Sequence, residues 1–160
     1  MDKLFEEQLA GFIDGHVCLM GIGNRHLHDD GVGSYIAEAL QTSSGFDAID
    51  AGFCPENYLE SIADKHPDTI LMVDATDFGG EPGQVKLIYP DKVAYSGVHN
   101  RAGSLRMLAE YMTVRTHAPV ALLAIQPDDV SEGESFSPAV SNTARELLET
   151  LPDMCREGLH

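Results

Sequence analysis

The chain has 160 residues, 43% of them hydrophobic, with ten Lys and Arg facing 26 Asp and Glu. That is the size of one domain with enough apolar material for a core. The formal net charge of -16 argues against nucleic-acid phosphates and anionic membrane surfaces as partners.

The segment MDKLFEEQLAGFIDGHV carries acids among its apolar residues, so it lacks the basic start and unbroken apolar stretch of a signal peptide. No apolar run approaches the roughly 20 residues needed to cross a bilayer. Leu4, Phe5, Leu9, Phe12 and Ile13 recur at helical spacing and predict a first helix over residues 3–13. HVCLMGIG, 16–23, reads as a buried strand entering a glycine turn. Val32, Ile36, Ala37 and Leu40 then mark one face of a helix. FDAIDAG, 46–52, predicts a second strand, and PENYLESIADKH, 55–66, a helix with Pro at its first position. TILMVDAT, 69–76, is apolar until Asp74, and QVKLIYP, 84–90, is a shorter strand. Residues 101–116 predict a helix with Leu105, Leu108, Ala109 and Met112 on one side. PVALLAIQP, 119–127, is an apolar strand fenced by prolines, and a last helix runs from about Pro138 to Met154.

Strands alternate with helices, and several strands are apolar end to end. The pattern predicts a mostly parallel sheet with helices on both faces. Ligands of such sheets sit beyond the carboxyl ends of the strands. That directs attention to the residues after Gly23, to Asp50 and Asp74, and to those after Ile125.

GIGNRHLHDDGVG, 21–33, opens like a dinucleotide fingerprint, but His26 stands where the third glycine belongs. Asp29 and Asp30 would also repel a pyrophosphate there. One aspartate before a helix is explained as a cap for its free N–H groups, and Asp29 takes that role. Asp30 is then left for other work. Asp74 ends an apolar strand, where a carboxylate is costly unless paired, hydrogen-bonded or bound to a cation; a plain strand-closing Asp is the alternative. His99 lies in the polar stretch SGVHNRAGS and alone would be a capping or surface histidine. Together, two carboxylates and one imidazole can hold a divalent cation such as zinc or nickel with coordination positions left open. Such a set suits a protein that inspects a metal carried by another molecule. His26 and His28 are further possible ligands, although loop histidines are more often solvated. Cys54, at a strand-to-helix turn, is a possible thiol nucleophile without an evident base. Cys18, Cys54 and Cys155 are odd in number and form no C-x-x-C pair, which implies a reducing, cytoplasmic setting rather than a disulfide framework.

Five blocks, GIGNRHLHDDGVGSYIAEAL, IDAGFCPEN, LMVDAT, SGVHN and AIQPDDV, in this order, resemble the hydrogenase maturation endopeptidases. These enzymes trim the large subunit of nickel–iron hydrogenases. The resemblance spans residues 16–155 of a single domain, 1–160, with 1–15 as an extra N-terminal helical segment. It implies a three-layer α/β/α sandwich with a twisted, mostly parallel sheet. It also implies an endopeptidase that removes the C-terminal extension of a nickel-loaded large-subunit precursor, with Asp30, Asp74 and His99 as the catalytic, metal-contacting residues. Nickel would arrive with the precursor, and zinc or cadmium would substitute in a crystal. There it would polarise the scissile carbonyl or lower the pKa of a bound water, with a carboxylate as general base. A metal-sensing binding module or chaperone of the same fold, without peptidase activity, is the competing expectation. The precursor is the expected partner, with no nucleic acid and no membrane insertion.

Overall fold

The computed structural model describes residues 1–95 and 102–158. Helix α1 (Lys3–Phe12) leads into β1 (Val17–Ile22), which a short 3-10 turn at His28–Gly31 connects to α2 (Val32–Leu40). Strand β2 (Asp47–Gly52), a 3-10 turn at Pro55–Tyr58 and α3 (Leu59–Ala63) follow. Then come β3 (Thr69–Ala75), β4 (Val85–Ile88), α4 (Ala102–Thr116), β5 (Val120–Ile125) and α5 (Pro138–Glu157). Among the described residues, no helix is long and apolar enough to cross a membrane.

The sheet has strand order β2-β1-β3-β5-β4. β1 runs parallel to β2 and β3, and β3 to β5, while β4 is antiparallel to β5. Nine residues, 76–84, separate β3 from β4, too few for a crossover helix. The chain therefore turns back at the same sheet edge and pairs antiparallel, as strand physics requires.

Alternation along the strands sorts two cores. Leu19, Leu71, Val73 and Leu123 face one side, where α1, α2 and α5 contribute Phe5, Leu9, Ile36, Leu147 and Leu151. Cys18, Met20, Met72 and Leu122 face the other, met by Ile62 of α3 and Leu105, Ala109 and Met112 of α4. The result is the expected α/β/α sandwich. Helix α1 buries Phe5, Leu9 and Phe12 in the first core, and Phe12 meets the Tyr89 ring edge-on at 5.8 Å beside β4. Helix α1 is thus a cap on the sheet.

The segment expected as one helix over 55–66 is broken. It opens as the 3-10 turn begun by Pro55, and only Leu59–Ala63 is α-helical. His66, at φ 51°, closes it with a left-handed residue.

From β1 the chain goes to β2 on one side and later returns to β3 on the other, so the β1/β3 crevice is the topological switch point. The first turn of α2 seats tightly over it. A Cβ on Gly33 would overlap the carbonyl oxygens of Val73 and Ile22. Gly33→Ala is therefore expected to push α2 off the strand ends and cost about 1–3 kcal/mol, as overpacking does. Urea unfolding of wild type and variant measures it, and an unchanged midpoint would show that the contact yields freely.

Candidate functional site

The switch point places two of the three expected metal-contacting residues at the carboxyl ends of neighbouring strands. Asp30 leaves β1 on the 3-10 turn, 4% exposed, and one carboxylate oxygen accepts a hydrogen bond from the Asn24 N–H at 3.0 Å. Asp74 lies one residue before the end of β3 and is 1% exposed. By strand alternation it shares its side of the sheet with Ile70 and Met72, the side that α4 covers. His99 lies outside the described residues, three positions before α4 begins. Among the described residues, no three His, Cys, Asp or Glu side chains are gathered to hold a metal.

Asp29 corrects the expectation of a helix cap. The N-cap position of α2 is Gly31, with no side-chain cap bond. The Asp29 carboxylate instead accepts hydrogen bonds from the N–H groups of Asp128, Asp129 and Ser137 and from the Ser137 hydroxyl, at 2.7–3.0 Å. It ties the turn bearing Asp30 to the loop after β5 and to the start of α5. Sequence spacing gives no sign of a tie across about 100 residues.

Burial opposes the Asp29 charge, but the donors from Asp129, Ser137 and Asp128 outweigh it and hold the carboxyl below its ordinary value of 3.8. A carboxyl lowered in the folded state adds stability that is fully present above the unfolded pKa. That stability is lost as pH falls through the folded one. Asp29→Asn turns an NH2 toward donors and is expected to cost about 2–3 kcal/mol near neutral pH. The loss should shrink as pH falls below about 4, where the unfolded wild-type chain takes up the proton that the folded carboxyl still resists. Unfolding free energies measured from pH 7 down to 3 test this; a loss that stays constant across that range would contradict it.

The histidines of the turn contact the same loop. His28 Nδ1 lies 2.7 Å from the Ser135 carbonyl oxygen, and His26 Nδ1 is 3.6 Å from Glu134 on the exposed surface. Cys18 and Cys155 are buried thiols; burial, aided for Cys18 by nearby Asp47, pushes each up to about 12, so both stay protonated and inert. Cys54 is half-buried at the entry to the Pro55–Tyr58 turn.

One polar network escaped the sequence reading, although the end of the second strand pointed to it. The Ser34 hydroxyl donates to Asp50 Oδ1 at 2.7 Å, and the Gly52 N–H donates to the same oxygen at 3.1 Å. Arg25 donates to the Ser34 hydroxyl and carbonyl oxygens, pairs with Glu38 at 3.0 Å and lies 3.8 Å from Asp50. These residues, with Asn24, Phe53 and Tyr58, line a cleft of about 280 Å³ beside the Asp30 turn. The cleft offers carboxylates and a guanidinium, charged groups that can contact a polar peptide segment.

The comparisons with known proteins agree with this architecture. A family model described as hydrogenase maturation protease matches residues 32–153. The chain is 36% identical over 138 residues to the hydrogenase 3 maturation protease of Escherichia coli, covering 83% of this chain and 84% of that protein. It is similar to the crystal structure of a [NiFe] hydrogenase maturation protease from Thermococcus kodakarensis, with a TM-score of 0.83 and 28% identity. That alignment covers 93% of this chain and 99% of that one. It is also similar to the solution structure of an Escherichia coli endopeptidase, with a TM-score of 0.75 and 28% identity over 86% and 90% of the two chains. With a family model spanning most of its length and a relative of this identity, the chain belongs to the hydrogenase maturation protease family.

Proposed function

We propose that this chain is an endopeptidase of hydrogenase maturation that removes the C-terminal extension of the nickel-loaded large-subunit precursor. Asp30 and Asp74 with His99 contact the nickel that the precursor carries. The observation supporting this reading is the pair of buried carboxylates at the ends of β1 and β3, the crevice where sheets of this type receive ligands. Two oxygens and one imidazole form an open, weak donor set, suited to touching a metal that another protein holds. Zinc or cadmium added to the free protein should occupy the same donors. Metal in that position supplies Lewis-acid polarisation of a carbonyl or acidifies water. The protein's own part is to orient the peptide in the Arg25–Asp50 cleft and to hold the metal-bearing end against Asp30 and Asp74. The reaction is assigned to the cytoplasm, where reducing conditions keep Cys18, Cys54 and Cys155 as the free thiols found here.

Incubating the nickel-loaded precursor with the protein and measuring the precursor's mass tests this function. Loss of a short C-terminal fragment is expected. Stable binding with unchanged mass would instead indicate a metal-sensing chaperone of the same fold.

A further inference from the structure

Helix α4 is apolar on two faces. Leu105, Leu108, Ala109 and Met112 are buried against the sheet. Met107, Tyr111 and Val114, spaced four and three apart on the opposite face, are 72%, 47% and 77% exposed. A surface helix of a globular protein ordinarily carries polar residues there.

The apolar surface does not end with the helix. Met107 and Tyr111 share a groove of about 280 Å³ with Glu56 and Leu59. Glu56 belongs to the Pro55–Tyr58 turn, whose Tyr58 lines the Asp50 cleft together with exposed Phe53. Of the ten large apolar side chains exposed among the described residues, five lie on this band, so they form a surface rather than a scatter.

Its guanidiniums are held in ion pairs. Arg106 pairs with Glu110 at 3.1 Å, and Arg115 with Glu60 at 3.0 Å. The Tyr111 hydroxyl donates to the other Glu60 oxygen at 3.1 Å. Glu56 in the groove adds a further carboxylate, so the named charges of this face sum to one net negative on a chain of net charge -16. Two copies meeting here would bring two strongly acidic bodies together, and long-range repulsion opposes that.

We infer that the exposed face of α4, continuous with the Asp50 cleft through Phe53 and Tyr58, docks an apolar surface patch of the hydrogenase large-subunit precursor. The patch it fits is bordered by basic groups, which the acidic surroundings of the face attract. The proposal rests on the peptidase reading above. The docking energy comes from a surface apart from the scissile peptide, so it sets affinity and leaves the chemical step alone.

The test uses nickel-loaded precursor and the double variant Met107→Glu/Val114→Glu. Both side chains are largely exposed, so the fold should survive, and circular dichroism verifies it. Interferometry should show binding weakened by at least about tenfold, with KM raised in step and kcat unchanged. Met107→Leu/Val114→Ile, which keeps the face apolar, should bind like wild type. Equal precursor affinity for wild type and the Glu variant overturns the proposal, as does a wild type that fails to bind precursor. A wild-type dimer that the Glu variant converts to monomer, with precursor affinity unchanged, also overturns it and assigns the face to a second copy. Wild type that binds but does not trim, with the Glu variant weakened, removes the peptidase reading and leaves the docking surface standing.

Discussion

Asp74→Asn is expected to leave the protein folded and to cut trimming of nickel-loaded precursor by on the order of 10²-fold or more. Losing a group that merely supports a metal ligand already costs about 10–100-fold. Losing the anionic ligand itself should cost at least as much. Asn fills nearly the same volume at the end of β3, so the packing of Met72 and Val73 is preserved and stability should stay within about 1 kcal/mol. His99→Ala removes the only nitrogen donor of the proposed set and should lose activity to a similar degree. Cys54→Ser is the contrasting variant, because a cleavage with no thiol nucleophile tolerates it. All three belong in one assay on one precursor, with circular dichroism confirming the fold. Loss in Cys54→Ser alone would replace metal-dependent cleavage with a cysteine peptidase.

The second large effect is expected at Asp30. Asp30→Asn keeps an oxygen for the Asn24 N–H bond, so the turn should hold its shape. It removes one of two anionic charges offered to the metal. Cadmium or zinc affinity of the free protein, followed by calorimetry, should fall by about tenfold or more, and trimming should fall by on the order of 10²-fold. Metal affinity equal to wild type would take Asp30 out of the ligand set.

The strands were legible because parallel strands buried on both faces read as continuous apolar runs. TILMVDAT and PVALLAIQP became β3 and β5 with at most two residues trimmed at either end of the run. Helices α1, α2 and α4 were legible from their 3.6-residue spacing. The antiparallel course of β4 was not, since direction depends on where the connecting loop places the chain. Nor was the break at Tyr58, where the 3-10 turn begun by Pro55 gives way to α3. Among the candidate site residues, Asp74 stood out by type, as a carboxylate ending an apolar strand, whereas Asp30 was reached only as the acid left over once Asp29 had been given the helix cap. Asp29 was misread because its partners, Asp128, Asp129 and Ser137, are near it only in space. The Arg25–Ser34–Asp50 chain was hidden for the same reason, joining a turn, a helix and a strand through side chains ordinary in themselves.

The most direct test of metal-dependent cleavage compares one precursor in two states. Nickel-loaded and nickel-free large-subunit precursor are each incubated with wild-type protein, and intact mass is followed over time. The account predicts loss of the C-terminal extension from the nickel-loaded form and an unchanged mass for the nickel-free form. Equal trimming of both would contradict it, because Asp30, Asp74 and His99 would then have no metal to engage.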